Sequence, residues 1–213
     1  MMRSGEVILQ QALMAQQTLL IEQWATASAD VYGQLPANLL ADAQNWWAKN
    51  GSTLQIVQGW PWQEQILAGV GIVLGPEEEA DPNSQPLGES VDFAGGEYDS
   101  SPYQEGHGTY LTSTFEVLIV TPNANLVVYL DLFVKWALLQ QRAAFSEQGF
   151  YDQRLGAQDL EPDFRIIANE SIPVFRRIRT LRCGHWETYT VPGVTSTGVS
   201  VGLTPAGLVT LEE

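Results

Sequence analysis

Cysteine is almost missing from this sequence. Cys183 stands alone among 213 residues, so an intrachain disulfide is impossible and a small secreted scaffold stapled by disulfides is excluded. A reducing cytoplasm suits such a chain. Histidine is nearly as scarce, with only His107 and His185. Cys183 and His185 have ligand-like spacing but no second pair to complete a tetrahedral metal site, and His107, between Gly106 and Gly108, reads as a loop residue. Positive charge is also short, with ten Lys and Arg against 25 Asp and Glu and a net charge of −15. The longest apolar run, Ile66 to Leu74, falls well below the ~20 residues that a membrane-spanning helix needs. Near the start, Gln10, Gln11, Gln16 and Gln17 interrupt the apolar residues, so no signal-peptide core is expected. A Gly-x-Ser-x-Gly elbow is absent, and Gly69-Val-Gly71 lacks both the third Gly and the Lys-Ser/Thr ending of a phosphate loop.

What remains is the composition of a globular chain, 45% hydrophobic and 16% charged, of a length that fits one domain with a sizeable core. Its charge is unevenly placed. Residues 1 to 134 carry 16 acids and two bases, whereas residues 135 to 213 carry nine acids and eight bases. Between Gly75 and Gly106 there are nine acids and no base, so this stretch cannot bind DNA phosphates through ion pairs. It reads as a solvated surface loop, and Glu77, Glu78, Glu79 and Asp81 mark the part that would meet a partner or line a channel. The same run does not make a glycosidase pair, which needs one desolvated acid and a second at fixed separation. Seven tryptophans, including Trp46-Trp47 and Trp60-Pro61-Trp62, would serve a core or subunit interface before a sugar platform.

Periodicity gives the elements. Residues 5 to 29 place Val7, Ile8, Ala12, Met14, Ala15, Leu19 and Trp24 on an approximate helical stripe, and a second helix over 36 to 50 has Pro36 at its start and Gly51 where a left-handed cap belongs. Thr53 to Gln58 and Ile66 to Leu74 read as strands around a turn at Trp60-Pro61-Trp62, and the breaker-rich stretch 75 to 106 reads as a long loop. Thr109 to Thr121 has strong strand composition. Asn123 then caps a helix over 123 to 147 with Leu126, Leu130, Phe133, Val134, Ala137, Leu138 and Phe145 on one face, ending at Gly149. Strands follow at Phe164 to Ala168 and Pro173 to Thr190, the second carrying Arg176, Arg177, Arg179 and Arg182 among apolar residues with a bulge or twist. The expected fold is α+β: an antiparallel sheet of four to five strands packed by two to three helices, as one domain over 1 to 190. An extended arm over 191 to 213, uncharged until Glu212, would follow.

The order of these elements carries a resemblance: two N-terminal helices, a strand leading to Gly59-Trp60-Pro61, the stretch GIVLGPEEEA, Leu87-Gly88, the strand FEVLIVTP, a helix opening with Asn, then LGAQDLEPD and PVFRRIRTL. Over residues 5 to 190 this resembles the tail-terminator, or tail-completion, proteins of tailed bacteriophages. The resemblance implies a structural virion subunit of the tail or neck, assembled in the host cytoplasm. It would form a closed ring, usually a hexamer, on the last ring of the tail tube protein, end tube growth, join the head-neck connector or stopper protein and, in contractile tails, anchor the sheath protein. No catalytic residue, cofactor or metal comes with the family, DNA would meet such a ring only in passage, and no membrane is involved. Six acidic halves around a bore would contribute roughly −80 of charge that discourages DNA from sticking. The basic strand, Arg176 to Arg182, would then sit at a subunit interface. Three alternatives stay open: another neck or baseplate subunit, such as a stopper, a carbohydrate-binding or hydrolytic protein using the tryptophans and acids, and a stand-alone cytoplasmic protein of another role.

Overall fold

The computed structural model describes residues 5–59, 68–79, 104–167 and 170–192. Their chain order is α1 (Gly5–Glu22), α2 (Trp24–Tyr32), α3 (Ala37–Asn50), β1 (Gln55–Gln58), β2 (Gly69–Glu79), β3 (Gln104–Thr121), α4 (Ala124–Gln140), α5 (Arg142–Glu147), β4 (Tyr151–Ile167) and β5 (Glu170–Pro192). The fold class is α+β, as the sequence implies. The five strands form one sheet in the order β1-β2-β3-β5-β4. Three of its four pairings are antiparallel, but β1 and β2 run parallel, with Gln55 beside Gly69 and Gln58 beside Ile72. The expected turn at Trp60-Pro61-Trp62 would have made that pair antiparallel. A parallel pair needs a connection that returns the chain to the same end of the sheet, and residues 60–67, which include both tryptophans, lie outside the described residues.

Two of the expected helices are each broken in two. At Gln23 the backbone leaves the helical region (φ −117°, ψ 38°), separating α1 from α2. At Gln141 (φ −91°, ψ 3°) α4 gives way to α5. Asn123 is the N-cap of α4, its side chain accepting from the Asn125 N–H at 2.8 Å, and Gly149 takes the left-handed conformation at φ 90°. Gly51 does not. Its φ of −56° is right-handed, and a Cβ there would stand 2.7 Å from the Trp47 ring. The position needs glycine for close approach rather than for a left-handed turn.

The helices cover one face of the sheet, giving two layers around one core. From the sheet side come Val70, Ile72, Phe115, Val117, Ile119, Leu181 and Cys183, and from the helices Leu9, Leu13, Leu20, Leu130, Phe133 and Leu138. α4 is buried on more than one side, because β3 and β5 lie beneath it while α1 and α2 flank it. That is why Val127, Tyr129, Asp131 and Trp136 are buried together with the expected stripe. The glutamines that interrupt the apolar stretch of α1 join elements together. The Gln17 amide donates to the carbonyls of Gly51 (2.6 Å) and Leu54 (3.1 Å), and the Gln10 amide donates to Ile56 at 2.8 Å. Each supplies a hydrogen bond to a carbonyl at the end of α3 or on β1 that burial would otherwise leave costly.

The strands are longer than their composition indicated. β2 continues past a register shift between Leu74 and Glu77, so Glu77, Glu78 and Glu79 pair with Ser113, Thr112 and Leu111 instead of starting a loop. β3 begins at Gln104, which places the backbone of His107 in a strand opposite Tyr189. β4 starts at Tyr151, thirteen residues before the strand expected at Phe164, and β5 runs through Pro192 into the expected arm. Residues 80–103 and 193–213 lie outside the described residues, and with them Asp81. The segment from Tyr151 to Asp163 is polar, contains Gly156 and Pro162, and has register shifts at both ends. Pairing with β5 overrides its weak local preference for strand.

Candidate functional site

Strand periodicity divides the four arginines of β5 between the two faces of the sheet. Arg177 and Arg179 alternate with the core residues Leu181 and Cys183 and lie under α4, while Arg176 and Arg182 lie on the other face with Ile178. Asp131 reaches down from α4, only 2% exposed. Arg179 holds it with two parallel hydrogen bonds, Nε to Oδ1 at 2.6 Å and Nη2 to Oδ2 at 2.7 Å, and Arg177 Nη1 donates to Oδ2 at 2.8 Å. Arg177 also grips Asp159, which stands directly opposite it on β4, through Nη2 at 3.0 Å and through Nε. One carboxylate from the helix layer is thus bonded to two guanidiniums from β5, and a second strand, β4, is tied in through Asp159. Planar, two-pronged donation fits arginine and is unavailable to lysine.

Electrostatics follow from these contacts. The hydrogen bond from Arg177 holds the Asp159 carboxyl below its ordinary value of 3.8, while Asp159 and then Asp131 push the Arg177 guanidinium further up. A carboxyl whose folded value is depressed adds stability that is complete above its unfolded value and lost as pH falls through the folded one. Asp159→Asn is therefore expected to leave stability at neutral pH little changed, since the group is largely exposed. It is expected to flatten the acid limb of stability against pH below about 4, which denaturant titrations at several pH values would measure. An unchanged acid limb would show that the Arg177 contact does not favour the ionised form.

Other chemistry-bearing side chains are committed to packing. Cys183 is fully buried and burial pushes its thiol up to about 12, so it stays protonated and unreactive. Ser113 is fully buried and its hydroxyl donates to Glu77 at 3.0 Å, with His185 Nδ1 at 3.5 Å. A nucleophilic serine would instead donate to the imidazole and be open to substrate. Trp47 is buried, packs edge-on against Phe133 and Trp46, and donates to the Tyr32 hydroxyl, so this tryptophan serves the core and not a sugar platform. A groove of about 440 Å³ between α1 and α5, lined by Ile8, Ala12, Ala15, Phe145 and three glutamines, has no ionisable group in its wall. Among the described residues no helix is long and apolar enough to cross a membrane, and no group of three metal-ligating side chains converges.

The remaining sequence-marked residues lie toward the margins of the sheet. Glu77 and Glu78 are exposed at the end of β2, beyond the reach of β1, which pairs only as far as Ile72. Arg176 lies 3.7 Å from Asp163. Arg182 is exposed and stands directly opposite Arg154 of β4, a residue the sequence alone did not single out. Its signal was the polar stretch before Phe164, which pairs with the arginine strand.

The longest feature is the β3–β5 ladder, paired from Gln104 and Pro192 to Thr121 and Phe175. Eighteen residues of strand extend about 60 Å, whereas the 17 residues of α4 extend about 25 Å. At one end Gln104–Tyr110 and Trp186–Pro192 pair past the limits of β2 and β4. At the other, Asp163–Ile167 and Glu170–Val174 pair past the limit of β3. Among the described residues, the class defined by these observations is a two-layer α+β domain whose strand β5 ends in a two-stranded ribbon at each end. No family model matches the chain, and no curated protein matches it. Among solved structures it is similar to a chain from the virion of a native gene transfer agent particle, at 19% identity over 72% of this chain and 91% of that one, with a TM-score of 0.23. A TM-score of that size carries no argument about fold or function.

Proposed function

We propose that this chain is a non-enzymatic structural subunit of a phage-like virion, acting as a tail terminator: a ring, hexameric in the family it resembles, that ends growth of the tail tube and joins the tail to the head-neck connector. The observation that carries this reading is the pair of two-stranded ribbons at opposite ends of β5. An isolated two-stranded ribbon is marginal in water and needs further strands or a packed face to be stable. A subunit with one such element at each end is suited to neighbours on two different surfaces, the arrangement that closes rings. The order of elements from residue 5 to residue 190, described above as tail-terminator-like, supports the same reading.

In this reading the tube protein, the connector and, in a contractile tail, the sheath protein are the partners, and DNA only passes through the bore. Removing the gene from the particle-forming genome and imaging the particles tests it. Over-long or ragged tubes are expected. Unjoined heads on tubes of normal length would assign the chain to a stopper instead, and normal joined particles would remove the virion reading altogether.

A further inference from the structure

The upper half of the sheet carries opposite charge on its two margins. Above Ile72, where β1 stops, the strand order is β2-β3-β5-β4. The β2 margin presents Glu77 and Glu78, both exposed, within the sequence run Glu77-Glu78-Glu79. The β4 side presents Arg154 and Arg182, both exposed and directly opposite one another across the β4–β5 pair. Like charges in that position repel, and neither guanidinium forms a salt bridge among the described residues, whereas Arg176, Arg177 and Arg179 each lie beside an aspartate. On the same face Thr114 and Thr180 flank Arg182, Gly156 follows Arg154, and Glu116 stands opposite Thr180. Two strand spacings of ~4.8 Å separate β2 from the strand of Arg182 and three separate it from that of Arg154, and no salt bridge joins Glu77 or Glu78 to either arginine among the described residues.

We infer that copies of this chain associate side by side, the acidic β2 margin of one subunit against the Arg154–Arg182 pair of the next. Charge complementarity selects a second copy as the occupant, since the same chain carries both the acidic β2 margin and the arginine pair, and joining them relieves the repulsion within each against a net charge of −15. The contact is heterologous, with different surfaces on the two partners, so it propagates in one direction and can close a ring. The inference rests on the proposed ring and identifies the surfaces that would form it.

Sedimentation of the full-length chain at about 0.1 M and about 1 M NaCl tests this, because the screening length falls from about 10 Å to about 3 Å between them. Wild-type self-association is expected to weaken with salt. The double variant R154E/R182E is expected to self-associate more than about tenfold less tightly, as is E78R, and an equimolar mixture of the two is expected to recover association. Thermal melts of both variants should match wild type, since Arg154, Arg182 and Glu78 are exposed. Salt-independent association, undiminished association of R154E/R182E, or a mixture no better than its components would overturn the inference. If R154E/R182E restores normal tube length to particles lacking the gene, this interface is wrong while the terminator reading stands. If deletion leaves tubes unchanged, the terminator reading itself fails.

Discussion

Asp131→Ala is expected to be among the most destabilising single substitutions in this protein, costing about 3–5 kcal/mol, because it leaves two guanidiniums beneath α4 without their shared carboxylate. Arg179 keeps only 14% of its side chain exposed and Arg177 keeps 26%, so water replaces the lost contact poorly. For a domain of this size the loss corresponds to a fall in Tm on the order of 10 °C. The three groups act as a unit, and that gives a sharper test than the single variant. Replacing Asp131, Arg177 and Arg179 together by leucine and methionine removes the buried charges along with the bonds, and is expected to cost much less than Asp131→Ala alone. Calorimetry on both variants decides the point. A triple variant as unstable as the single one would mean that the network contributes net stability and does more than compensate its own desolvation.

Phe133→Ala is expected to cost a similar ~3–5 kcal/mol by a different route. Phe133 is fully buried on α4, with the Trp47 ring centroid at 5.0 Å and that of Trp136 at 6.5 Å. These neighbours come from α3 and from α4 itself. Trp47 is further fixed by its hydrogen bond to Tyr32, whose hydroxyl donates to the Tyr129 carbonyl at 3.2 Å. Such a framework cannot collapse into the space a phenyl ring leaves, so the cavity term adds to the lost transfer energy. Urea unfolding should show a lower midpoint with an unchanged slope. A cost near 1 kcal/mol would show that α3 can close onto α4 and that the aromatic cluster is less rigid than its hydrogen bonds indicate.

Several features were legible before any coordinates. The Asn123 cap, the apolar positions of α4 and the strand Thr109–Thr121 are local signals, written within a few turns or a few alternations, and the structure has all of them. Breaks within helices were not legible, because Gln23 and Gln141 are ordinary helix formers and only packing bends the chain there. Nor was β4. A polar stretch with glycine, proline and two register shifts becomes a strand only because β5 supplies a partner along its length. Of the site residues, Arg176, Arg177, Arg179 and Arg182 were visible as one basic strand, but their division between an internal clamp and an open surface was not.

The sequence by itself determined the α+β class, the acidic balance, the exclusion of a disulfide framework and the core stripe of α4, since each depends on composition or on spacing along the chain. Tertiary structure alone decided that β1 and β2 run parallel, that Asp131 meets Arg177 and Arg179, and that Arg154 faces Arg182. Those outcomes are set by strand pairing and packing, which join residues from 14 to 48 positions apart through the summed contacts of whole elements, which no local window contains.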